Sequence, residues 1–182
     1  MAESRVLEQL FEATFYADWN TLLIGGGDEP IYLPAEGDCG HHRLIYREDY
    51  FSSALHETAH WCVAGAARRK LVDFGYWYQP DGRTGEQQQA FEQVEIKPQT
   101  LEWFFTTATG RTFRPSADNL NGPDMASRGP SPAFMAALVA QAQNWCVHGG
   151  MPPRAKLFVE RLAEHYGVAD PFDPDRYRSL AP

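Results

Sequence analysis

His56-Glu57-Thr58-Ala59-His60 lies inside a stretch, Asp49 to about Lys70, whose apolar positions recur at helical spacing. Ala54, Leu55, Ala59, Cys62, Val63 and Ala66 give the predicted helix a buried face of mostly small residues, against which neighbours can pack closely. Gly65 marks a bend or a stop, since glycine in a helix interior is about 1 kcal/mol worse than alanine. Residues four apart stand one turn above each other on one face. His56 and His60 are therefore predicted to aim two imidazole nitrogens at a single metal ion. Nitrogen donors suit borderline cations such as zinc and iron(II), and the third ligand and the open positions decide between them.

Outward from that helix, the spacing predicts a first helix from Glu3 to about Asp18, carried by Val6, Leu7, Leu10, Phe11 and Phe15. Asn20-Thr21 leaves it, and Gly25-Gly26-Gly27-Asp28 reads as a turn, lacking the further residues of a nucleotide-binding loop. Ile31-Tyr32-Leu33 and Arg43-Leu44-Ile45-Tyr46 read as short strands. Leu71 to Tyr78 is a β-like segment rich in aromatics, closed by Pro80-Asp81-Gly82. Gln87 to about Ile96 is helical, and Pro98 either kinks that helix or opens a second one reaching Thr107. Residues 110 to 130 form a loop long enough to suggest a lid. Ser131-Pro132 supplies an N-cap and an N1 proline for a helix to about Val147. A last helix runs from about Pro153 to Tyr166, ahead of an extended tail. Helices outnumber strands, which predicts an α+β fold: a single domain over residues 1–182, mainly helical with a small sheet, its metal-site helix zincin-like.

The chain has 182 residues, of which 13% are aromatic, enough for a core without covalent staples. No apolar run approaches the roughly 20 residues that span a bilayer. The start, Met1-Ala2-Glu3-Ser4-Arg5, lacks the pattern of a signal peptide. Cys39, Cys62 and Cys146 are odd in number and form no CxxC pair, as expected in a reducing cytoplasm. A net charge of -8 argues against broad binding to a phosphate backbone. A soluble cytoplasmic protein with no membrane or direct nucleic-acid partner is expected.

Two imidazoles need a third ligand, most often from another element. In Phe91-Glu92-Gln93-Val94-Glu95-Ile96, a helix sets Glu95 one turn from Phe91 on the apolar face, where a carboxylate needs a cation or a metal. Glu95 is the first candidate, Glu92 the next and Asp73 the third. Glu57 is turned about 100° from His56 and should not bind the same ion. It is instead a catalytic candidate, as general base to a metal-bound water or as a hydrogen-bonding neighbour of a bound ligand. His41-His42 reads as a solvated loop pair. Arg68-Arg69-Lys70 is expected to complement the carbonyl end of the long helix.

Asp28 to Ala35, His56 to Cys62, Leu71 to Tyr78, Pro80 to Arg83 and Val94 to Gln99 lie in order along the chain. Together these blocks resemble the bacterial elongation factor P hydroxylase family. The resemblance runs from the first helix to beyond Asn119-Leu120. It implies a non-haem iron enzyme that uses molecular oxygen to hydroxylate a lysine of elongation factor P already extended by a β-lysyl group. It also implies a site of two histidines and one carboxylate, without the jelly-roll of 2-oxoglutarate-dependent oxygenases; this chain offers His56, His60 and Glu95. A long cationic substrate side chain calls for an acidic, aromatic-lined cleft, with Asp73, Asp81, Asp118, Tyr76 and Tyr78 as candidate walls. The alternative is a zinc metallopeptidase-like hydrolase with Glu57 as general base. A non-catalytic adaptor, its histidines merely core groups, is the third reading.

Overall fold

A computed structural model describes residues 3–37, 39–73, 81–123 and 128–180. Five α-helices are found among them: α1 (Glu3–Trp19), α2 (Phe51–Val63), α3 (Gly85–Ala108), α4 (Pro132–His148) and α5 (Pro153–Tyr166). Three strands, β1 (Thr21–Gly27), β2 (Ile31–Leu33) and β3 (His42–Arg47), form one small sheet in the order β1-β3-β2. The fold is the expected α+β, mainly helical. Tyr76 and Tyr78, with the rest of residues 74–80, lie outside the described residues.

Asn20, at φ +47°, ends α1 and turns the chain directly into β1. That strand pairs in parallel with β3 from Thr21↔His42 to Ile24↔Ile45, while β2 pairs with β3 antiparallel. The triple glycine is thus the end of a strand rather than a simple turn. A Cβ on Gly25 would lie 2.6 Å from Tyr46 Oη, and one on Gly27 would lie 2.7 Å from Ile45 Cγ2. Glycine is required there because neighbouring side chains press onto the backbone. Glu8 closes the corner, accepting hydrogen bonds from Gly25 N–H and Tyr46 Oη–H, each 2.9 Å long.

The metal-motif helix is shorter than its apolar pattern suggests. It stops at Val63, and Arg68–Lys70 forms a separate 3-10 turn. Ala64 is extended, and its carbonyl accepts hydrogen bonds of 2.6 Å from both Arg69 and Arg154. Arg69 therefore serves the helix end as expected, reaching back from outside it. Arg154 also lies over the Trp61 ring at 4.2 Å, which pins α5 to α2.

By contrast, α3 is one continuous helix of 24 residues, with Pro98 inside it. An interior proline disfavours a helix by about 3 kcal/mol and deprives the preceding turn of a donor. Burial of Leu101, Phe104 and Phe105 just beyond it outweighs that. The helix packs against α2, α4 and α5 and is the centre of the molecule. Phe11, Phe15 and Trp61 form an edge-to-face cluster at 4.8–5.1 Å that joins α1 to α2. The tail is not merely extended: Pro174–Tyr177 forms a 3-10 turn that buries Tyr177 fully, 4.1 Å from Phe104 and 5.1 Å from Trp103.

Candidate metal centre

His56 and His60 point side by side from α2, their Nε2 atoms 3.0 Å apart. Glu95, from the facing side of α3, has no exposed surface and brings Oε1 to 3.2 Å from His60 Nε2 and Oε2 to 3.7 Å from His56 Nε2. These are the three side chains among the described residues that converge as a metal-ligand group. Two ligand atoms each about 2.1 Å from one ion and at right angles to each other are about 3.0 Å apart. Glu95 Oε1 finds no hydrogen bond of good geometry although it is buried. A buried acceptor left over beside two facing imidazole nitrogens is what a cation would satisfy. The donor set therefore fits a divalent transition metal.

The tautomer of His56 is fixed from behind. Its Nδ1 lies 2.8 Å from Glu102 Oε2, and an ionised carboxylate can only accept, so Nδ1 carries the proton and Nε2 is left for the site. Burial alone would lower the His56 pKa from 6.5, but the hydrogen bond and charge of Glu102, joined by Glu95 and Glu57, raise it to about 10 in the metal-free protein. Burial would raise the Glu95 carboxyl, yet the charge and close approach of His60, then His56 and Gln99, hold it down at about 2. Glu57 is buried and its pKa is raised, by burial first and by the charges of Glu95 and Glu102, against the pull of both histidines.

The other ligand candidates are engaged elsewhere. Glu92 is buried but faces α4, accepting hydrogen bonds from Ser131 N–H at 2.8 Å and Ser131 Oγ–H at 2.6 Å at the cap of that helix. Asp73 pairs with Arg68, and its backbone bridges to Tyr32. His42 Nδ1 accepts a 2.8 Å hydrogen bond from Ala35 N–H.

The pair His56 and His60, together with Glu57, opens onto a cleft of about 640 Å³. The cleft lining also includes Asp28, Glu29, Pro30, Arg47, Ser52 and Ser53, and Arg114, Ser116 and Asp118 from the segment after α3. Of the wall residues expected from sequence, Asp118 lines this cleft. Asp81 instead accepts hydrogen bonds from Asn121 at 2.9 and 2.7 Å, and Asp73 lies on the far side of His60. The segment expected to be a lid is tied down through residue 121: Asn119 is fully buried and accepts from the backbones of Gly82 and Arg83, each at 2.8 Å.

A profile of the elongation factor P hydroxylase family matches residues 10–177. The chain belongs to that family. A relative in Haemophilus influenzae, described as elongation factor P lysine hydroxylase, is 46% identical over 161 residues, covering 88% of each chain. The family match spans α1 through the turn that buries Tyr177, and so contains both helices of the candidate centre.

Glu102 and Gln99 were missed by the reading of sequence. They follow Glu95 by seven and four residues, the spacing of one helix face, but a break at Pro98 would have destroyed that register.

Proposed function

We propose that this protein hydroxylates the β-lysylated lysine of elongation factor P, using iron(II) held by His56, His60 and Glu95 and molecular oxygen as co-substrate. The observation that carries this reading is the meeting of two imidazoles and one buried carboxylate at the floor of a cleft, in a chain of this family. Such a set would leave positions on a bound ion free for dioxygen. Iron(II) bound there would supply the activation of dioxygen needed to oxidise a C–H bond.

The protein's own groups have distinct tasks. Glu102 orients His56 through Nδ1 and keeps its Nε2 turned inward. Placing one oxygen atom of dioxygen on carbon and releasing the other as water consumes two protons and two electrons, the electrons coming from an external reductant. Glu57 is the catalytic group suited to hold a proton beside the reacting carbon, because burial raises its carboxyl and it faces the cleft. Asp118, Asp28 and Glu29 give the cleft acidic walls for a long cationic side chain. No helix of the described residues is long and apolar enough to cross a membrane, in keeping with a cytoplasmic enzyme acting on a translation factor.

The hydrolase alternative shares the helix motif, but family membership favours hydroxylation. Metal analysis of protein purified without air, followed by oxygen uptake on adding modified elongation factor P, tests the reading. Stoichiometric iron and substrate-dependent uptake, both lost in His56→Ala, are expected. Tightly held zinc with peptide cleavage and no uptake would overturn it.

A further inference from the structure

Gln99 is almost completely buried one turn beyond Glu95, and its side chain makes three polar contacts. Ser116 N–H donates to its Oε1 at 3.0 Å, and its Nε2 donates to Ser116 O at 2.8 Å. The Ser116 N–H settles which end of the carboxamide is oxygen, so the NH2 group must face Glu95. One of its two hydrogens serves Ser116, and the other reaches Glu95 Oε2 at 3.4 Å. Glu95 Oε1 is thereby left for the histidines, 3.2 Å from His60 Nε2.

The Ser116 end of this link belongs to the cleft wall. Ala117 O accepts from Gln88 Nε2 at 2.9 Å and from Arg83 Nη2 at 3.0 Å, and Asp118 O accepts from Arg83 as well. Residues 116–118 are thus held by three buried side chains, Gln88 and Gln99 on α3 and Arg83 just ahead of it. Among the described contacts, Gln99 is the one of the three that touches a candidate metal ligand. A packing role needs no amide here: methionine has nearly the same length and shape, and burying a carboxamide is unfavourable unless it is bonded.

We propose that Gln99 is a positioning residue: its carboxamide aims the Glu95 carboxylate at the His56–His60 pair and joins it to the Ser116–Asp118 wall, so that a metal held by Glu95 is felt at that wall. This rests on the metal reading given above. The link gives the substrate-facing wall a fixed register to the metal centre, and any shift of Glu95 on metal binding passes to Ser116 through one side chain.

The test titrates metal-free wild-type protein and Gln99→Met with zinc(II), a diamagnetic probe, using circular dichroism and thermal midpoint to verify folding. Affinity about tenfold weaker in Gln99→Met is expected, the scale found for residues that orient metal ligands. Equal affinity overturns the proposal. Absence of zinc binding by the wild type overturns the metal reading itself, and the proposal with it. A second measurement uses the wild type alone, so it does not depend on the variant folding. On zinc addition, the Ser116 backbone amide and the Gln99 carboxamide resonances should shift, while the Asn121 amide, bonded to Asp81 in the same segment, should stay in place. An unmoved Ser116 amide while the His56 and His60 rings respond overturns the proposal.

Discussion

Glu102 Oε2 accepts a 2.8 Å hydrogen bond from His56 Nδ1, and the same ring presents Nε2 to His60 at 3.0 Å. A carboxylate behind a histidine sets its tautomer and strengthens it as a donor. Glu102→Ala should weaken metal binding about 10–100-fold with the fold intact, and Glu102→Gln should recover part of the loss by keeping an acceptor. Metal titration of the two variants checks this, and unchanged affinity in Glu102→Ala would remove Glu102 from the site.

Glu95 and Glu92 are both buried on α3, but they face different partners. Glu95→Ala should abolish stoichiometric metal binding while retaining native circular dichroism. Glu92→Ala should keep the metal and lose about 1–3 kcal/mol of stability, because Ser131 N–H at the α4 cap loses its acceptor. Denaturant melts and metal content of both variants separate the roles. Retained metal in Glu95→Ala would move the third ligand elsewhere.

In the metal-free protein the raised His56 pKa makes affinity depend on pH. The stabilisation gained from protonated His56 is fully present below its ordinary value of 6.5 and is lost as pH rises through about 10. A metal must displace that proton, whereas Glu95, held at about 2, stays ionised throughout the window. Affinity should therefore climb with pH up to about 10, approaching tenfold per pH unit where one proton is released. Calorimetry in buffers of different ionisation enthalpy would count the proton, and a pH-independent affinity would contradict the account.

Asp118 lines the cleft, its backbone is gripped by buried Arg83, and burial raises its carboxyl pKa. Asp118→Asn should raise KM for modified elongation factor P about tenfold, the size of one charge-assisted contact, with little change in kcat or in metal affinity. Steady-state kinetics with titrated metal decides it. A fall in kcat at constant KM would place Asp118 in the chemistry instead.

The parts of this site that could be read from sequence were those set by a single helix. The spacing of His56 and His60 and the phase of Glu95 against Phe91 follow from 3.6 residues per turn. What depended on tertiary partners stayed hidden. Gly25 and Gly27 have the composition of a turn, and only Tyr46 and Ile45 pressing on them reveal a strand. Helix phase ranks Glu95 ahead of Glu92, but that Glu92 is also buried, engaged at the α4 cap by Ser131, depends on a tertiary partner. Pro98 signals a break, yet packing of Phe104 and Phe105 carries the helix through and brings Gln99 and Glu102 into register with the ligands. The Tyr177 tail reads as polar and extended because its one core residue has no periodic neighbours.

The most direct test of the central claim is the intact mass of β-lysylated elongation factor P after incubation with this protein, iron(II), a reductant and isotope-labelled dioxygen. One added oxygen atom carrying the label, absent with His56→Ala, is the predicted result. A mass unchanged from that of the His56→Ala control, or an added oxygen drawn from water, would contradict it.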